Sequence, residues 1–169
     1  MQTETWEIIV RMLLSILLGG LIGWERERAS KPAGIRTHAL VSLGSCMFML
    51  IATEGARVWG LTSGVDPTRL AQGLATGVGF LGAGAIIQSG FSVHGLTTAA
   101  TIWLVCAAGA AVGSGMWEIG LEGMVLALVV LRGLAFLDRV AGRQRGGNGH
   151  GQEPPADADS DDDPNFPPR

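Results

Sequence analysis

The chain contains no tyrosine and only two cysteines, Cys46 and Cys106, each near the middle of an apolar block. A metal site would need further Cys, His or carboxylate ligands close by, and neither cysteine has them. Both therefore read as buried hydrophobes. Charge is missing from long intervals: none falls between Arg11 and Glu25, Arg36 and Glu54, Arg69 and Glu118, or Glu122 and Arg132. A soluble domain of 169 residues would need strands or amphipathic helices with polar faces, whereas the second and third gaps, 17 and 48 residues, approach or exceed the ~20 residues a helix needs to cross a bilayer. Also missing are a nucleophile–base arrangement, zinc-type spacing and a phosphate-cradling loop. The run GVGFLGAGAI has glycines but no P-loop lysine, and it lies inside an apolar block. These absences argue against an enzyme, a cofactor or metal protein, and a nucleic-acid binder. The first segment lacks a basic n-region, carrying Glu4 and Glu7 instead, and no A-x-A-like site follows its apolar block. It reads as a retained helix and not as a cleaved signal.

What is present predicts an all-α membrane protein, a bundle of about five transmembrane helices with a disordered acidic tail. The helices are expected over about Trp6–Trp24, Thr37–Thr53, Arg69–Gln88, Thr97–Gly115 and Glu118–Leu137. The last carries Glu122 and Arg132, so it lies partly at the interface or its charges snorkel. Tryptophans bracket the first helix, where an amphipathic ring prefers the membrane surface. Residues 1–139 form the expected transmembrane domain and residues 140–169 the tail. From Gly146 onward the sequence holds six acids and one arginine among Gly, Pro and Asp, too little apolar surface to fold. Basic residues Arg26, Arg28, Lys31 and Arg36 fill the first loop, and Arg139, Arg143 and Arg145 follow helix five. The positive-inside rule then places the N-terminus outside and the C-terminus in the cytoplasm.

Small residues mark the expected packing faces. Ser15, Gly19 and Gly23 recur every four residues on helix one, and helix three carries Gly73, Gly77, Gly79, Gly82 and Gly84. In lipid such residues let helix backbones approach closely, which predicts a central helix three. The alternative is a broken helix lining a cavity. Polar stripes provide the candidate binding residues. His94, Thr97, Thr98 and Thr101 are spaced for one helical face, either bonding locally or lining a cavity. Arg69, Gln72 and Thr76 form a second stripe, after an Asp66–Pro67 helix start. Glu25 and Arg36, with Thr37 beside them, sit at the membrane boundary, where ionisable groups tend to have partners or function. Glu25 and Arg36 are expected to meet the His94–Thr101 face around one polar pocket, and Glu27 and Arg28 to be a solvated anchor.

The blocks GGLIGWERE, AGIRTHALVSLG, DPTRLAQGLATGVGFLGAGAII and GLTTAATIW, in that order, resemble the membrane domain of the MgtC/SapB family over about residues 8–115. The resemblance implies a multi-pass protein of the bacterial inner membrane with five helices. It also implies, for the MgtC branch, roles in growth at low magnesium, survival of intracellular pathogens and restraint of the proton-translocating ATP synthase. That branch carries a soluble C-terminal domain where this sequence has an acidic tail, and often basic residues near the third loop where Gln88 and His94 stand here. The short SapB-like branch fits better. Two functions remain open. One is a non-enzymatic modulator of another membrane system, with lipid, other membrane proteins or a second copy as partners. The other is a small transporter or channel, which a faint parallel between GLIG…GIRTHAL and GFLG…GLTTAAT would support.

Overall fold

The computed structural model describes residues 4–58, 66–89 and 92–145. The acidic tail expected from residue 146 lies outside them. Five helices form in chain order: α1 (Thr5–Arg28), α2 (Ile35–Val58), α3 (Pro67–Gly84), α4 (Leu96–Gly113) and α5 (Trp117–Arg145). Between α3 and α4 stands a short hairpin, β1 (Ile87–Ser89) and β2 (Ser92–His94), with Gln88 opposite Val93. Three of the helices, at Thr5–Arg28, Ile35–Gly55 and Leu96–Gly113, are long and apolar enough to cross a membrane.

Local chemistry sets the helix ends. After α1 the chain turns through Ser30 at φ 53°, with Lys31 N–H donating to Arg26 O at 3.0 Å. The Glu27 carboxylate then accepts the Ile35 N–H at 3.1 Å, satisfying a free donor in the first turn of α2. Glu27, expected in a solvated anchor, is thus a helix cap, while Arg28 lies over the Trp24 ring at 4.6 Å. Asp66 caps α3, accepting from Thr68 N–H at 2.9 Å and from Thr68 Oγ1 at 2.6 Å, with Pro67 at the first helical position. Gly95, at φ 89°, separates β2 from α4, and a side chain there would run into the Ala85 carbonyl.

The chain divides into two compact units, Met1–Val130 and Leu131–Arg169. The described part of the second is helical from residue 131 to Arg145, so residues 140–145 continue a helix past the expected domain boundary. The first unit has its core where α1, α2 and α4 meet, with Leu18, Ile22, Cys46, Val105 and Val112 buried. Its outside is apolar: Trp6 is 64% exposed and Phe80 81% exposed, and Leu13, Leu17, Leu40, Phe48 and Val129 also face outward. Large apolar side chains thus face outward as well as inward while several polar ones are buried, a distribution suited to a hydrocarbon solvent.

The central helix is α4 and not α3. Like α2, it packs against the other three of the first four helices, whereas α3 lies at the side, with its main contacts among the described residues on α4 and fewer on α2. At Gly19 and Gly23 a Cβ would stand 2.5 Å from His38 O and from Ile35 Cα, so α1 and α2 touch backbone to backbone there. Gly109 and Gly113 of α4 meet the Ser42 and Cys46 carbonyls in the same way. Around Gly73, Gly77, Gly79 and Gly84 of α3 there is open space, and Gly82 makes only an ordinary contact with Ala99 at 3.7 Å. Among the described residues the glycines of α3 thus bring no backbone as close as those of α1 and α4 do.

Candidate functional site

The buried polar groups gather where α1, α2 and α4 converge near the α1–α2 loop. His38 is fully buried on α2. Its Nδ1 lies 2.9 Å from Gly34 O, one turn back, and its Nε2 lies 3.0 Å from Thr101 Oγ1 across on α4. The Thr101 hydroxyl donates to Thr98 O at 2.8 Å. Thr98 and Thr101 are buried, so two members of the expected threonine stripe face the core and Thr97 faces out. One turn beyond His38, the Ser42 hydroxyl is buried with no hydrogen-bond partner among the described residues. Further along, Ser45 Oγ donates to Val41 O at 2.8 Å and lies 3.1 Å from Cys106 Sγ.

Glu25 and Arg26, at the end of α1, are also buried. Arg26 Nε donates to Glu25 Oε2 at 2.5 Å and Nη2 to Oε1 at 2.9 Å, a forked ion pair between sequence neighbours. Their charges, opposite in sign, both act on the His38 ring. The expected pairing of Glu25 with Arg36 does not form. Arg36 is exposed in the first turn of α2, and a nearer guanidinium has already taken both carboxylate oxygens. His94 also departs from expectation: it is exposed on β2, because the positive φ of Gly95 ends the strand and starts α4 one residue later. It shares no helical face with Thr98 and Thr101.

A cavity of about 270 Å³ opens beside this cluster. It is lined by Pro32 and Ala33 of the first loop, Thr37 and Val41 of α2, Leu81 and Gly84 of α3, Ala85, and Thr98 and Ile102 of α4. Thr37 and Thr98 are the candidate residues it brings together. A larger apolar groove of about 600 Å³ runs between α2 and α3 past Gly44, Phe48, Gly73, Gly77 and Leu81. At the other end of α3, Arg69 and Gln72 are exposed and Thr76 Oγ1 donates to Gln72 O at 2.9 Å, so that stripe faces away from the core. Hydrogen bonds from the Thr68 backbone and hydroxyl hold the Asp66 carboxyl below the usual carboxylate range. Among the described residues no three His, Cys, Asp or Glu side chains converge to hold a metal ion.

His38, Ser42, Gly109 and Gly113 are not among the residues that the sequence patterns above single out. His38, Ser42 and Ser45 are spaced i, i+4 and i+7, a one-faced polar stripe in an otherwise apolar helix, and that spacing was the available signal.

The sequence of residues 12–140 matches the profile of the MgtC family. Over 129 residues, 75% of this chain, it is 46% identical to the Escherichia coli (strain K12) protein named "Putative magnesium transporter YhiD". It is 45% identical over 141 residues to Protein SrpB of Synechococcus elongatus, covering 78% of this chain and 76% of SrpB. With Protein MgtC of Salmonella typhimurium it shares 39% over 120 residues, 71% of this chain and 49% of that protein. The chain spans 60% of the length of YhiD. No solved structure matches it. With the profile covering most of the chain, including all of α2, α3 and α4, the protein belongs to the MgtC family.

Proposed function

We propose that this is a non-enzymatic protein of the bacterial inner membrane that modulates another membrane system, either the ATP synthase or magnesium and ion homeostasis. The observation that carries this reading is the backbone-to-backbone contact of α1, α2 and α4 at Gly19, Gly23, Gly109 and Gly113. Helices locked at this distance form a rigid unit suited to presenting surfaces, and the apolar outer faces of α2 and α3 supply a surface for a membrane partner or a second copy. The N-terminus is placed outside and the C-terminus, with its acidic tail, in the cytoplasm, on the same charge asymmetry of the loops. A cytoplasm-only reporter fused after Arg28 should be active and one fused after Gly64 silent.

The second reading is a small transporter. It is favoured by ionisable groups held inside the bundle, Glu25, Arg26 and His38, since such groups in membrane helices mark pathways for ions or protons. The name of the Escherichia coli relative points to magnesium as the ion to test. Liposomes containing the purified full chain separate the two. Magnesium or proton flux well above that of empty liposomes supports transport. Membranes without such flux, together with stable co-purification of a defined membrane complex under magnesium limitation, support modulation.

A further inference from the structure

The His38 ring stands between a carbonyl oxygen, Gly34 O, and a hydroxyl that can donate or accept, Thr101 Oγ1. Gly34 O is a carbonyl and can only accept, so Nδ1 must carry hydrogen to bond it. Thr101 has one hydroxyl proton and two acceptors within reach, Thr98 O at 2.8 Å and His38 Nε2 at 3.0 Å. When that proton goes to Thr98 O, Thr101 Oγ1 accepts and Nε2 carries hydrogen too. A ring with both nitrogens protonated is the imidazolium cation. The neutral ring has one satisfactory alternative: Nδ1–H keeps Gly34, and the Thr101 hydroxyl swings from Thr98 O to donate to Nε2. Two states therefore differ by one proton and by the rotation of one hydroxyl, with no movement of either helix.

The charged groups facing the ring are few. From α1 they are Glu25 and Arg26, already paired with each other. From α4 the facing groups, Thr98 and Thr101, do not titrate. On α2 itself Arg36 is exposed, two residues away. The cavity at the first loop is lined by Thr98 and by Thr37, the residue before His38, so it opens beside the Thr101–Thr98 link.

We propose that His38 is a proton-binding site in the core of the bundle, with Thr101 as its hydroxyl switch and the cavity at Thr98 as its connection to water. The ligand is a proton: uptake forms the Nε2–H bond and returns the hydroxyl proton to Thr98 O, and release reverses both. The site stands apart from either reading of function above, because a modulator and a transporter can each carry it.

Nitrogen NMR of histidine-labelled full-length protein in lipid nanodiscs tests this directly. Across a pH series, His38 should pass from the doubly protonated ring to the Nδ1–H tautomer, with His94 as the exposed reference and His38→Gln providing the assignment. Thr101→Val removes both bonds of the cation's hydroxyl link and one bond of the neutral state, so it should lower the proton affinity about tenfold, one pH unit. Thr101→Ser keeps the hydroxyl and should stay near wild type, which separates the switch from a packing defect. A His38 ring that holds one protonation state across the pH series overturns the proposal. So does a midpoint that Thr101→Val and Thr101→Ser move equally. If Thr101→Val does not fold, the serine variant and the wild-type titration still decide it, since a neutral His38 at every pH is fatal on its own.

Discussion

Adding one methyl group at Gly19 should break the bundle where adding one at Gly77 should not. A Cβ at Gly19 would lie 2.5 Å from His38 O, 2.8 Å from Ser42 Cβ and 2.9 Å from His38 C. Ordinary contact begins at 3.4 Å, so α1 and α2 would have to part by about 0.9 Å. Two of the three clashing atoms are backbone and cannot rotate aside, which places the cost at the upper end of overpacking, about 3 kcal/mol. At Gly77 a Cβ meets nothing within 4 Å. There alanine removes the conformational freedom of glycine and should stabilise α3 by about 0.5–1 kcal/mol. The two variants should therefore differ by roughly 3–4 kcal/mol. Reversible unfolding of the purified chain in mixed micelles, followed by helix signal, measures this. Equal losses at the two sites would refute the reasoning, because they would mean that α3 packs its small residues as tightly as α1 does. A Gly19→Ala variant within about 0.5 kcal/mol of wild type would do the same for the α1–α2 contact.

Three further outcomes are expected. Arg26→Met leaves the Glu25 carboxylate buried without its forked partner and should cost about 3–5 kcal/mol in the same unfolding assay, whereas Arg36→Met, at an exposed position, should stay within about 0.5 kcal/mol. Ser42→Ala deletes a buried hydroxyl that has no partner among the described residues, so the variant should be neutral or up to about 1 kcal/mol more stable; a clear loss would reveal a water or ion bonded there. Asp66 stabilises the start of α3 in its charged form, and its carboxyl is held below the usual range. That contribution is therefore complete above the ordinary carboxylate pKa and fades as pH falls through the lowered one, and in Asp66→Asn the acid-dependent part should vanish from amide exchange at Thr68 and Arg69.

The spans of α1, α2 and α4 were legible in the sequence because charge gaps of bilayer length leave little choice of structure. The centre of the bundle was not. Helix three has the most conspicuous glycines, but a glycine in a sequence does not say which way its face points. Gly109 and Gly113 sit in a helix that is apolar all round, where no periodicity distinguishes the packed side. The hairpin at residues 87–94 was hidden inside a block read as the end of helix three and a loop. In the site, Thr98 and Thr101 were visible from their spacing. The partner of Glu25 was not, since side chains one residue apart on a helix ordinarily point in different directions and Arg36 was the nearest basic residue across the loop. Here both groups are buried and pair with each other.

One contact bears on how the protein is made. Arg11, which pairs with Glu7 at 2.5 Å, also donates from Nη1 to Gly113 O at 3.2 Å, at the C-terminal end of α4, where carbonyls lack helical partners. Those residues stand 102 positions apart. As the chain leaves the ribosome, α1 reaches the bilayer before α4, and the carbonyl that completes its arginine is synthesised only after α2 and α3. Arg11 is thus satisfied later than the glycine contacts that seat α1 on α2, and until α4 arrives Glu7 alone pairs with that charge. Biogenesis intermediates halted before residue 113 should leave the Arg11 end of α1 loosely seated, open to whatever insertase or chaperone attends the growing chain.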